Sequence, residues 1–235
     1  MSAIQQLLAS YGAFNPLTIP SLTEWFDYRT LASVGNGNPI GSWAGNKGLY
    51  TLAQSGTARP TYVTDDGDGR AAAQFDGVND GLDASITNSA LFGGSGDYEF
   101  WIVARLAVTQ SYSGGLFTSS GVSNQIGLNA ANSTTCNLPM SHGSVQVNPS
   151  AALLDDFWHV IRCSKSGARR VMEVDGVSVY DASTSVGPYG TGADIFQMGQ
   201  YFGAYMTGAY RHWMAFNTPL DNTTAANLTT YLQSA

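Results

Sequence analysis

The densest run of chemistry-bearing side chains is Asp65-Asp66-Gly67-Asp68-Gly69. It sets three carboxylates, Asp65, Asp66 and Asp68, on a turn that two glycines keep pliable, with Asp76 and Asp80 downstream. Hard oxygen donors grouped in this way suit Ca²⁺. The run lacks the ligand spacing and the bidentate Glu of an EF-hand loop, however, and short Asp/Gly runs are ordinarily solvated turns. The expectation is no cofactor, with calcium the one ion these acids could take.

Other chemistries are thinly supplied. The glutamates are Glu24, Glu99 and Glu173; Glu173 and Asp175 could share a strand face, but no third acid follows and Asp175-Gly176 is turn material. An activated serine needs a G-x-S-x-G elbow, and Gly94-Ser95-Gly96 has no strand-to-helix setting. His142, His159 and His212 are far apart, and the latter two adjoin tryptophans, which reads as packing or surface rather than metal ligation. Cys136 and Cys163 form no C-x-x-C pair and read as free, mostly buried thiols, with oxidation in an extracellular setting left open.

Sugar binding asks for an exposed aromatic face that stacks on the ring, flanked by amides and carboxylates for its hydroxyls. Candidates in loop-like stretches are Tyr112, Tyr189, Tyr201, Phe202 and Tyr205, the last three within the run Gln200 to Tyr205. Asn124, Asn129 and Asn132 could supply polar partners. Aromatics at this density also serve cores and interfaces.

The elements that must position these groups are short. Ala3 to Tyr11 spaces Ile4, Leu7, Leu8 and Tyr11 as one amphipathic helix, and Asn15-Pro16 and Ile19-Pro20 then force an extended connector. Residues 1–20 are therefore expected to form an arm and residues 21–235 a single domain. Beyond Trp25, β-prone runs alternate with Gly, Asn, Asp and Ser clusters: Tyr98 to Val108, Gly115 to Thr118, Gln125 to Asn129, Phe157 to Ser164, Arg170 to Val174, Ser178 to Tyr180, Ile195 to Gly199 and Gly208 to Phe216. Val174-Asp175-Gly176-Val177 is a hairpin signal, with basic Lys165 to Arg170 expected as an exposed turn. Ala225, Leu228 and Leu232 mark a closing helix that Asp221 or Asn222 could cap. Strands without intervening helices predict an all-β sandwich or barrel.

Composition narrows the partners. The chain is 43% hydrophobic and 11% charged with a formal charge of −7 and only 10 Lys+Arg, so it offers no field for a phosphate backbone and nucleic acid is excluded as an expected partner. No apolar stretch approaches the ~20 residues that span a bilayer, and the first residues lack a secretory signal pattern. A low-charge, aromatic-rich exterior suits a homo-oligomer.

Four segments together resemble the concanavalin A-like lectin/glucanase (laminin-G-like) jelly-roll superfamily, in its divergent bacteriophage virion form. They are L-T-E-W-F-D (Leu22 to Asp27) with G-S-W-A-G-N-K-G (Gly41 to Gly48); A-A-Q-F-D-G-V-N-D-G-L (Ala72 to Leu82); F-W-H-V-I-R (Phe157 to Arg162) with M-E-V-D-G-V (Met172 to Val177); and Y-R-H-W-M-A-F-N-T-P-L (Tyr210 to Leu220). The resemblance implies a β-sandwich of two antiparallel sheets with a short helix at each end. It also implies calcium in many relatives. Hydrolases that resemble this fold carry an E-x-D-x-x-E strand, which is missing here. The expectation is thus a non-enzymatic virion protein, a tail- or fibre-associated adhesin or capsid decoration. It would be made in the host cytoplasm, fastened to other virion proteins through the arm, and would display a lectin-like surface for host glycans. The alternative is a soluble carbohydrate-binding lectin module, and a glycoside hydrolase is the least favoured reading.

Overall fold

The computed structural model describes residues 14–93, 96–108, 114–120, 126–130, 136–137, 140–142, 145–147, 150–151, 153–183, 195–201 and 204–234. In the strands between 114 and 151, Leu116 excepted, and at 201 and 204, the backbone alone is described. The helix expected at Ala3 to Tyr11 lies outside these residues.

The strands run β1 (Leu22–Asp27), β2 (Ser42–Ala44), β3 (Thr51–Ala53), β4 (Thr61–Val63), β5 (Ala72–Asp76), β6 (Leu82–Ser85), β7 (Tyr98–Leu106), β8 (Gly114–Ser120), β9 (Ile126–Ala130) and β10 (Cys136–Asn137). They continue as β11 (Met140–His142), β12 (Val145–Val147), β13 (Ser150–Ala151), β14 (Trp158–Ser166), β15 (Arg169–Val174), β16 (Val177–Ser183), β17 (Ile195–Met198), β18 (Gln200–Tyr201), β19 (Ala204–Tyr205) and β20 (Thr207–Phe216). The first sheet orders β16-β15-β14-β7-β20-β5-β4, with β1 also paired to β20; the second orders β12-β11-β9-β8-β17-β6-β3-β2. Neighbours within both sheets pair antiparallel, and neither closes into a barrel, so the expected β-sandwich is what the chain builds.

Period-2 alternation decides what each face meets. Along β7, Phe100, Ile102, Ala104 and Leu106 enter the core between the sheets, where Trp43, Leu52, Leu82, Phe196 and Met198 arrive from the second sheet. Trp101 and Val103 point the other way, onto the outer face of the first sheet. They are nonetheless buried, because the helix Asn222–Ser234 lays Ala225, Leu228 and Leu232 over them and over Val160, Met214 and Phe216. Each such leucine contributes about 1.5–3 kcal/mol of apolar burial. Asp221 caps the helix, accepting from the Thr224 backbone N–H at 2.9 Å, as its sequence position suggests. Within residues 14–20, Ile19 is buried in this second cluster and Phe14 lies against it.

Two backbone devices aim side chains. The Asp175-Gly176 turn has φ of 53° and 81°, the pair of positive values a type I′ hairpin needs. In β20, Tyr210 and Trp213 both enter the core although they are three apart, because a bulge at Arg211 resets the alternation and turns Arg211 to the outer face. One expectation is corrected: in the Lys165 to Arg170 stretch only residues 166–169 are exposed. Lys165 and Arg170 are buried, since strands β14 and β15 continue further into the turn than the basic composition suggested. Cys163 is a free thiol in the core, and burial pushes its pKa well up.

Candidate functional site

The Asp-rich loop does not pool its carboxylates. Asp65 Oδ1 accepts from the backbone N–H groups of Gly67 and Gly69, closing the turn on itself. Asp66, its side chain almost wholly buried, accepts both Nε and Nη2 of Arg105 at 2.8 Å and the amide of Gln74 at 2.6 Å. Asp68 accepts the two terminal nitrogens of Arg211, whose guanidinium lies 3.8 Å from the ring centroid of Trp158. That pairing, against partial burial, holds the Asp68 carboxyl below its ordinary range. Asp66 and Asp68 thus clamp the loop to arginines rising from β7 and β20, while Asp65 fixes the turn itself. Among the described residues, no group of three or more His, Cys, Asp or Glu side chains is placed to hold a metal ion.

Beside this clamp, on the part of the outer face that the closing helix leaves bare, a cavity of about 250 Å³ opens. Thr61 of β4, Gln74 of β5, Arg105 of β7, Thr207 and Gly208 of β20 and the β5–β6 turn form its walls. The turn is the F-D-G-V-N-D segment noted above. Phe75 faces inward and meets Tyr210 edge-on at 5.5 Å, which pins the end of β5. Asp76 Oδ1 accepts from Val78 N (2.8 Å) and Asn79 N (3.3 Å), and Asp80 Oδ2 accepts from Asp76 N at 2.9 Å. Both carboxylates line the cavity. Asp80 is only 5% exposed, and its burial, with Asp76's charge adding to it, pushes its pKa up against the stabilising backbone bond. Gly208 is required by close approach: with φ at 154°, a Cβ there would come within 2.1 Å of the Arg105 carbonyl oxygen.

The aromatic candidates are placed less fully. Tyr112, Tyr189 and Phe202 lie outside the described residues, as do Asn124 and Asn132; for Tyr201 and Asn129 only the strand backbone is described. Tyr205 is half-buried in β19, opposite Gln200 of β18, and only Met206 separates it from the cavity's Thr207. Gln200 and Gln197 both direct amide N–H groups at Asp83 Oδ1, at 3.0 and 3.4 Å, and burial raises the Asp83 pKa against them.

The remaining titratable groups are committed elsewhere. Glu24 is fully buried and accepts from the backbone N–H groups of Trp25, Lys47 and Tyr50. Glu99 and Glu173 both meet the guanidinium of Arg162, Glu99 under the Leu220 segment. His212 accepts the indole N–H of Trp25 at 3.2 Å; burial, with the charges of Arg29 and Arg211 adding and Asp27 opposing, pushes its pKa down to about 3. His159 lies between two carboxylates, Asp175 at 2.6 Å from Nδ1 and Asp155 at 3.1 Å from Nε2. Asp76 and Asp80 entered the sequence reading only as acids downstream of the 65–68 cluster. What could have singled them out is the turn itself, whose aromatic-Asp-Gly start and returning Asp-Gly-Leu fix both acids where the chain crosses from β5 of one sheet to β6 of the other.

No known protein family matches this sequence, and no characterised protein matches it by sequence. Solved structures match its fold. Domain 4 of AbnA, a GH43 extracellular arabinanase from Geobacillus stearothermophilus, solved with arabinotriose, superposes with a TM-score of 0.60 over 89% of this chain and 98% of its own, at 13% identity. Trypanosoma rangeli sialidase with sialic acid gives 0.62 over 91% of this chain at 11% identity, and the binding domain of Paraclostridial Mosquitocidal Protein 1 gives 0.63 over 89% at 13%. The chain spans 33% of the sialidase and 52% of the toxin binding domain. Such identities carry the β-sandwich and no activity. They do correct one expectation. Two of these three structures come from glycoside hydrolases, so the exclusion of enzymatic chemistry drawn from a missing acidic strand is withdrawn. The jelly-roll sandwich implied by the resemblance agrees with these likenesses, and none of the three is a virion protein. Among the described residues, no helix is long and apolar enough to cross a membrane.

Proposed function

We propose that this domain binds saccharides, and that the cavity between the β5–β6 turn and Arg105 receives the sugar. The observation that carries the reading is the cavity itself: about 250 Å³, walled by two carboxylates, an amide, a guanidinium and two threonine hydroxyls on the bare part of a sheet face. A sugar ring presents hydroxyls in several directions at once, and a concave site with convergent polar groups fixed by strand ends answers them without rearrangement. The company of an arabinanase domain solved with arabinotriose, and of a toxin's binding domain, supports the same reading.

The test is glycan-array binding of the whole chain, followed by calorimetry on the best ligand. Asp80→Asn is expected to weaken binding at least about tenfold, the loss of one charge-assisted bond of about 1.5–3 kcal/mol. Retained affinity in that variant would place the sugar elsewhere. Display on a virion is the finer form of this reading. Imaging particles for the chain tests it, and its absence from them would remove that setting while leaving the cavity's binding intact.

A further inference from the structure

We propose that this cavity ranks saccharides by charge, holding amine-bearing sugars most tightly, neutral sugars next and carboxylate-bearing sugars least. The inference rests on the saccharide reading above and adds the ligand class to it. Its ground is the state of the groups that line the cavity. Arg105 is the cation in the wall, and its guanidinium fork is already filled by both oxygens of Asp66, with Asp156 a further 4.0 Å neighbour. The amide of Gln74 is likewise directed at Asp66. The positive charge of Arg105 is therefore already paired within the protein, although its Nη1 keeps N–H donors beyond those given to Asp66.

The two carboxylates of the wall each keep one oxygen outside the turn's backbone bonds, and among the described residues neither is paired with a cation. Asp76 and Asp80 bring two carboxylates to one wall, and Asp80 sits where water screens it poorly. Summed over Asp66, Asp76, Asp80 and Arg105, the local charge is negative, in keeping with the chain's formal −7. A ligand suited to such a site donates hydrogen bonds. Hydroxyl and ammonium groups do so, whereas a carboxylate only accepts and would add a further negative charge to a partly desolvated pair. The elevated pKa of Asp80 fits this account, because that group already resists the charge it carries. Sugar acids such as sialic acid carry the carboxylate that this cavity turns away.

The experiment uses the whole chain on matched probes: a glucosamine oligomer and its N-acetylated counterpart, and a galactose oligomer beside a galacturonate oligomer, at low and high salt. The expected result is a preference of about tenfold for the more positively charged member of each pair at low salt, shrinking as salt screens the carboxylates. In the Asp76→Asn/Asp80→Asn double variant, whose amide oxygens keep the turn's backbone bonds, the preference should collapse while the melting temperature holds. Binding of galacturonate as tight as galactose, or a double variant with an unchanged ranking, overturns the charge selection and leaves sugar binding standing. No retention of any glycan on a broad array overturns the saccharide reading, and this inference with it.

Discussion

Trp101 and Arg105 stand on the same strand and the same face, yet they meet opposite surroundings. Trp101 lies beneath Leu220 and the closing helix, its indole N–H given to the buried Glu99 at 2.6 Å and Arg162 over its ring. Arg105, two alternations further along, lies under no helix of the described residues; an Asp-rich loop reaches it, and beyond that loop the sheet is open to the cavity. One end of the face is closed by apolar area and the other by ion pairs that stop short of covering it. Strand alternation is identical at both ends, so a site arises where segments distant in sequence leave the sheet uncovered, and the strand itself does not select it.

The comparison can be broken from either end. The largest effect is expected from Arg105→Ala, which strands the buried Asp66 carboxylate. Removing one partner of a buried pair costs about 3–5 kcal/mol, toward the lower figure here because Arg105 is partly exposed, and urea titration would measure it. Leu228→Ala, at the covered end, is expected to cost about 2–5 kcal/mol while leaving saccharide affinity unchanged in the remaining folded protein. Coupled losses of stability and affinity in that variant would show that the two ends are not independent.

Asp80→Asn should do the reverse. Because burial raises the folded-state pKa of Asp80, the native protein holds its proton more tightly than the unfolded chain. Stability is therefore lost as pH rises from the ordinary value of 3.8 through the folded pKa. The amide removes that dependence, so the variant is expected to be as stable as the parent or slightly more so at neutral pH, and a poorer binder. Thermal melts at pH 4 and 7 beside calorimetry would test both halves.

A smaller effect is expected at His159. Burial works against its imidazolium, but hydrogen bonds to Asp175 and Asp155 outweigh it and raise the pKa. Only the imidazolium donates from both nitrogens to both carboxylates. Its stabilisation is full below the ordinary value of 6.5 and is lost as pH rises through the folded pKa, and His159→Gln should flatten stability across that window. Smallest of all, millimolar calcium is expected to leave the melting temperature unmoved, since Asp66 and Asp68 are engaged by arginines. A clear upward shift would mean that calcium displaces them.

Much of the fold was legible residue by residue. The runs at Tyr98, Phe157, Arg170 and Gly208 became β7, β14, β15 and β20 with ends moved by a few residues. Asp175-Gly176 made its hairpin, and Ala225, Leu228 and Leu232 became the buried stripe of the closing helix. The site was legible in part. Acids at 65–68 stood out for their density, but density in sequence does not say whether a carboxylate faces a neighbour, a metal or an arginine from another strand.

What the sequence by itself determined is the material of a sandwich: alternation sorts side chains between two faces, and Asp-Gly pairs supply the positive φ that turns strands back, both through interactions between near neighbours in the chain. What only the tertiary structure decided is partnership. Asp66 meets Arg105 and Asp68 meets Arg211 across sequence separations of 39 and 143 residues, while Asp76 and Asp80 are left lining an open cavity. Charges are assigned partners by which strands lie side by side, and sheet order is set by the burial of both faces together, a property no local stretch of residues carries.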